Sequence, residues 1–222
     1  MHAFTDLATA AYCPRKLYYR RTRGDEEPPE EAAERAGRVR EVAFRYPELL
    51  DPTSEIPPEV EVTPTQFRTR LSCARERFAD DVWAGLADPD ASDVLLEGRE
   101  ARGIAHKLFG DPPMPSLVFA GEPPDQGVWE SQGVRAVAAA KALAWERQRP
   151  VERAIAEYPA HGVVREIRLT TRRKAAYRRA VRVADSMDGP PARVDSDGKC
   201  RACEYRTTCG TRTRSLRSLL GL

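Results

Sequence analysis

The chain lacks any run of about eighteen apolar residues, so nothing in its 222 residues reads as a membrane span. It also lacks a glycine-rich phosphate loop, and nucleotide hydrolysis is therefore not indicated. Only three histidines occur, of which His2 and His161 carry no functional signal. Cysteine is sparse and odd in number, at five. The opening MHAFTDLATAAYCP has no basic stretch ahead of an apolar core. Together these features argue against a secreted disulfide framework and for a reducing, cytoplasmic location. The hydrophobic share of 41% is ordinary, and the length is enough to bury a sizeable core, which predicts one domain over residues 1–222.

The net charge of +2 hides a division. Residues 1–23 hold five Lys/Arg against one Asp, residues 24–160 hold sixteen against twenty-seven, and residues 161–222 hold fifteen against six. The balance is thus +4, −11 and +9. A basic surface built from both ends has a phosphate backbone as its natural partner, so DNA is expected.

Those ends also carry the cysteines. KCRACEYRTTC places Cys200, Cys203 and Cys209 at C-x2-C-x5-C spacing, which allows three thiolates to converge on one centre. The set lacks a fourth ligand, and Cys13, beside Pro14 at the opposite end, is the best donor; Cys73 lies in helix-like text. Four soft thiolates suit zinc or an iron-sulfur cluster equally well. Residues 1–23 and 189–222 are therefore the expected cluster-binding part, joined so as to close a loop of nearly the whole chain.

Taken in order, Thr5 or Asp6 is expected to cap a first helix that breaks near Pro14, leaving Cys13 at the break. Residues 24–33 read as an acidic, Pro-containing linker, residues 34–46 as a helix, and residues 66–86 as one further helix. Two or three short strands follow, with Gly98, Gly103 and Gly121 as bends. Ser131–Arg147 is the clearest helix, Ala-rich and apolar on one side. VERAIAEYP and HGVVREIRLT form a hairpin, and Thr170 or Thr171 caps a basic helix reaching about Asp188. This order predicts an α+β (α/β) fold, a small mixed sheet flanked by helices.

FTDLATAAYCPRKLYYRR, the hairpin with its basic helix, and KCRACEYRTTCG resemble the RecB-like nucleases that carry an iron-sulfur cluster. The nearest branch is the CRISPR-associated exonuclease family, Cas four, related to the nuclease domain of the Dna-two helicase. The resemblance implies a restriction-endonuclease-like PD-(D/E)XK core and a 4Fe-4S cluster on Cys13, Cys200, Cys203 and Cys209.

It also implies a cutting site in which carboxylates hold Mg2+ or Mn2+, a Lys lies two residues beyond one of them, and a His comes from an early helix. This chain departs at each place. Arg40 occupies the early-helix His position. Ala101, or His106 if the later glycine is the anchor, occupies the strand Asp position. Phe119 and Ala120 stand where the Lys belongs, and Arg135 and Ala139 replace a Gln and a Tyr on the following helix. Glu97, Glu100, Asp111, Glu122 and Asp125 remain nearby, without a Lys two positions downstream of any of them.

The expectation is an iron-sulfur DNA-binding protein whose metal-dependent cutting is lost or much reduced. The alternatives are an exonuclease using Mg or Mn at a displaced site, with Glu97, Glu100, Glu122 or His106 taking part, or a cluster-stapled module that docks a protein. Backbone contacts to DNA are assigned to Arg15, Lys16, Arg172, Arg173, Lys174, Arg178 and Arg179. The tail with Arg212, Arg214 and Arg217 among leucines is expected either to lie on the body of the protein or to meet a protein partner. Trp83, Trp129 and Trp145 are expected in the core.

Overall fold

The structure, a computed structural model, describes residues 1–23 and 30–209. A short strand β1 (His2–Ala3) leads into helices α1 (Phe4–Tyr12) and α2 (Pro14–Arg23). The helices α3 (Glu30–Val42), α4 (Tyr46–Leu50), α5 (Pro64–Arg77) and α6 (Asp80–Ala87) come next, then strands β2 (Ala91–Glu97), β3 (Ala101–Phe109) and β4 (Met114–Val118). The chain continues through α7 (Glu130–Arg147), β5 (Arg153–Tyr158), β6 (Val163–Arg168), α8 (Thr171–Asp185) and α9 (Asp197–Arg201).

The strands form one six-stranded mixed sheet flanked by helices, as the element order predicts. β2 and β3 are an antiparallel pair in which Val94 faces Ala105 and Leu96 faces Gly103. β1 runs parallel to the start of β3, and β4 runs antiparallel to its end. β4 and β5 are parallel, which requires a long crossover, and α7 supplies it. β5 and β6 form the expected hairpin around a 3-10 turn at Pro159–His161. Gly162 closes that turn at φ 63°, where a Cβ would also stand 2.8 Å from the Phe67 carbonyl oxygen.

Two cores lie on either side of the sheet. One gathers Phe4, Leu7 and Leu17 with α7 and with Tyr177, Ala180 and Ala184 of α8. Ala136, Ala138, Ala139, Ala140 and Ala142 are all buried there; their small side chains let α7 pack closely against α1, α8 and the sheet at once. The other core gathers Tyr46, Phe67, Leu71, Trp83 and Leu86 against Phe109, Met114, Val118 and Ile155.

Several local expectations change. The first helix begins at Phe4 after Ala3, with no side-chain cap, because pairing of β1 with β3 fixes its start. Asp6 instead binds Arg20 at 2.5 Å and Arg21 at 3.2 Å, tying α1 to α2. Of the proposed acidic linker, residues 30–33 open α3, where Glu30 and Glu31 complement the helix N-terminus; residues 24–29 lie outside the described residues. The single helix expected over 66–86 is two, because Phe78 and Ala79 are both extended, with ψ of 150° and 154°. Gly103 is a mid-strand residue rather than a bend: a Cβ there would meet the Phe4 ring at 2.5 Å. Trp83 is in the core as expected, but Trp129 and Trp145 are 53% and 52% exposed. Among the described residues no helix is long and apolar enough to cross a membrane.

Candidate metal centre and nucleic-acid interface

The break between α1 and α2 falls where the sequence puts it. Cys13 is extended, at φ −159° and ψ 108°, and its carbonyl oxygen accepts the Lys16 amide at 3.1 Å. At the far end, the Ser196 side chain caps α9 and the Cys200 amide donates to the Ser196 carbonyl at 3.1 Å. The chain then turns tightly, with Cys203 N–H directed to the Cys200 carbonyl and Cys209 N–H to that of Tyr205, at 3.4 and 2.7 Å.

These turns bring Cys13, Cys200, Cys203 and Cys209 to the wall of one small, mostly enclosed and almost wholly apolar cavity, shared with Tyr12, Lys16, Tyr19, Lys199 and Tyr205. All four are half-buried free thiols, whereas Cys73 is exposed and apart from them. Burial pushes the Cys203 thiol above its ordinary value.

The surrounding polar groups tie α1 and α2 to residues 199–208. Lys199 Nζ donates to the Tyr12 carbonyl at 3.0 Å and lies 4.7 Å from the centre of the Tyr12 ring. Lys16 pairs with Glu204 at 2.9 Å. Arg23 donates to Thr208 Oγ1 at 2.9 Å, and Tyr19 stacks on Tyr205. Arg193 reaches Cys200 Sγ at 3.9 Å. Of the predicted DNA contacts, Lys16 and Arg15 are thus partly engaged here; the Arg15 guanidinium is directed to the Pro191 carbonyl at 3.5 Å. Among the described residues no three His, Cys, Asp or Glu side chains converge tightly enough to hold a single metal ion. What the four thiols share is the wall of that cavity, and soft sulfur donors are the chemistry that suits zinc or an iron-sulfur group.

A second constellation forms where β2, β3, β4, α3 and α7 meet. His106 Nδ1 accepts the Val118 backbone N–H at 2.7 Å, which places the proton of the neutral ring on Nε2. Opposite His106 the β2 ladder is interrupted at Asp93, a non-glycine residue at φ 53°, and Asp93 binds Arg40. Arg135 lies over the Phe119 ring at 5.7 Å, and its buried Nε has no hydrogen-bond partner among the described residues. Burial, reinforced by Arg135, Arg40 and Lys107, drives His106 from its ordinary value of 6.5 down to about 3. The positions at which the sequence departs from the nuclease pattern, Arg40, His106, Phe119 and Arg135, therefore stand together. Ala101, the other reading of the strand Asp position, is buried in the α7-side core instead. An imidazole, two guanidiniums and one carboxylate already bound to Arg40 do not fit Mg2+ or Mn2+, which need several oxygen ligands.

The remaining acids do not assemble a replacement. Glu97 lies 3.9 Å from Arg102 and is about half exposed, and Glu100 accepts from the Tyr177 hydroxyl at 3.1 Å. Glu122 and Asp125 border a different cavity, with His161 and Arg70, and Asp111 meets Arg149 at 3.4 Å. A fully buried ion pair that sequence reasoning missed lies inside the sheet. Lys107 and Glu157 are fully buried and joined at 2.8 Å, Lys107 also donates to the Ala43 and Leu86 carbonyls, and Ser116 donates to Glu157. Glu157 inside the apolar strand text AIAEY was the available signal.

On α8, Tyr177 and Val181 face the core as expected, and Thr170 is the cap. Arg172 and Arg178 are exposed without a charged partner among the described residues. Lys174 pairs with Glu152 at 3.0 Å, Arg179 with Glu130 at 2.5 Å, and Arg173 donates to the Arg168 carbonyl at 2.9 Å. The basic helix is thus divided between open and self-engaged cations. Arg212, Arg214 and Arg217, expected on the body of the protein or at a protein partner, lie outside the described residues.

No protein-family model and no curated protein matches the chain.

Proposed function

We propose that this chain is a cluster-stapled DNA-binding protein of the RecB-like, restriction-nuclease type, in which the metal-dependent cutting site has been replaced by a cationic constellation. The observation that carries the reading is the meeting of four thiols, from positions 13 and 200–209, on one cavity. Cys13, Cys200, Cys203 and Cys209 would hold a 4Fe-4S cluster, whose contribution when bound is to cross-link the two ends of the chain. The nearby cations Lys16, Lys199 and Arg193 offset the negative charge of four thiolates. The absence of cutting is supported by the gathering of Arg40, His106, Phe119 and Arg135 at one place. These are positions that the family pattern picks out, and their nearness to one another is what supports the reading. DNA as partner is supported by the exposed arginines of α8 and by the charge division of the chain.

The test is anaerobic purification with visible spectroscopy and iron, sulfide and zinc analysis, on wild type and on Cys13→Ala. Broad visible absorbance with about four irons per chain, lost in the variant, is the expected result. One zinc and no colour would overturn the cofactor assignment. On the same protein, DNA retention should fall steeply with salt and no Mn2+-dependent cleavage should occur. Cleavage abolished by Glu97→Ala, Glu100→Ala or Glu122→Ala would establish a displaced cutting site instead.

A further inference from the structure

Trp129 opens α7, yet it is 53% exposed in a chain that buries Trp83. Its Nε1 donates to the Glu122 carbonyl at 3.0 Å, which fixes one edge of the indole, and its backbone N–H donates to Gln132 Oε1. An aromatic ring held in position and left open to solvent loses little entropy when a flat partner covers it. Trp129 lines a groove of about 770 Å3 between the first turns of α7 and α8, whose other walls include Arg172, Arg173, Arg179, Glu130 and Thr170. The groove carries three guanidiniums against one carboxylate. Two of the three are already oriented, Arg173 by the Arg168 carbonyl and Arg179 by Glu130, and Arg172 is exposed.

Resting on the DNA reading above, we propose that this groove holds single-stranded DNA, with one unpaired base stacked on Trp129 and the flanking phosphates on Arg172 and Arg173. Stacking on an indole requires a base that is free of its pairing partner, whereas arginines alone take single and double strands alike. The groove therefore selects the strand form, and the rest of α8 supplies affinity without selection.

The experiment uses the full chain with a fluorescein-labelled twenty-nucleotide oligo-dT and a twenty-base-pair duplex, read by anisotropy at low and moderate salt, for wild type, Trp129→Ala, Trp129→Phe and Arg172→Ala. Trp129→Ala should weaken oligo-dT binding about 5- to 100-fold and leave the duplex within about twofold. Trp129→Phe, which keeps a stacking face but loses the indole N–H, should retain most single-strand affinity. Arg172→Ala should weaken both ligands and lower the salt slope by about one. Wild-type affinity for oligo-dT in Trp129→Ala, with duplex and single strand still bound, overturns the stacking site and leaves the DNA reading standing. Equal losses in Trp129→Ala and Trp129→Phe also overturn it, because the indole then only props the loop at Glu122. Failure of wild type to retain either ligand at low salt overturns the DNA reading itself, and this site with it.

Discussion

A histidine that accepts a backbone amide at Nδ1 and lies near two arginines resists taking a second proton. His106 is in that position, and its folded-state value of about 3 lies below the ordinary 6.5. As pH falls through 6.5 the unfolded chain takes up the proton first, so the His106 contribution is complete above that pH and is lost progressively toward 3. The slope is about 1.4 kcal/mol per pH unit over that window. Between pH 7 and pH 5 the wild type should therefore lose about 2 kcal/mol more stability than His106→Gln, measured by urea unfolding at each pH; parallel curves for the two proteins would contradict this account. Lys107 and Glu157 present the opposite problem, two charges already inside. Lys107→Met alone strands the carboxylate and should cost about 3–5 kcal/mol, whereas Lys107→Met with Glu157→Leu should recover most of that loss. Denaturant unfolding of both variants decides the matter, and an equally unstable double variant would show that the pair itself, and not the avoidance of an orphan charge, holds the sheet.

At the scale of elements, what could be read in advance was whatever depends on neighbours in the chain. The Ala-rich periodicity of α7, the Pro159–Gly162 turn and the Thr170 cap are local signals, and each element forms close to where those signals place it. What escaped depends on partners distant in sequence. β1 fixes the start of α1 by pairing with β3, and the core that receives Phe78 is built from α3–α6 and β3–β6. The site divided in the same way: the four cysteines that sequence reading grouped line one cavity, but the burial of Glu157 against Lys107 and the exposure of Trp129 are set by packing. The basic helix α8 shows why charge counting is too coarse, since Lys174 and Arg179 are held by Glu152 and Glu130. Replacing Arg172 and Arg178 together by alanine should lower the salt dependence of DNA binding by about two, with secondary structure unchanged by circular dichroism. An unaltered slope would move the DNA contact off this helix.

Among the described residues, the first two helices and the segment 196–209 are held at one place. Lys16–Glu204, Arg23–Thr208, Lys199 to the Tyr12 carbonyl and Tyr19 on Tyr205 all cross from the first two helices to the last described segment. These contacts are mostly partly exposed, and exposed ion pairs contribute about 0–1 kcal/mol each. They cannot by themselves hold a closed loop of nearly the whole chain against its entropy. The group proposed for the four thiols would add a covalent link, worth about 2–5 kcal/mol by the loop-closure account. Removing the group by chelation, or one ligand by Cys13→Ala, should therefore release both ends at once. Limited proteolysis should cut within residues 14–23 and 189–209 at matching rates while the fragment carrying α3 to α8 persists, because it keeps one core whole and all of the other but Phe4, Leu7, Ala10 and Leu17. If residues 189–209 were cut while α2 stayed protected, the burial of Leu17 in the α7-side core would be what secures the N-terminal end, and the clip would hold only the C-terminal segment.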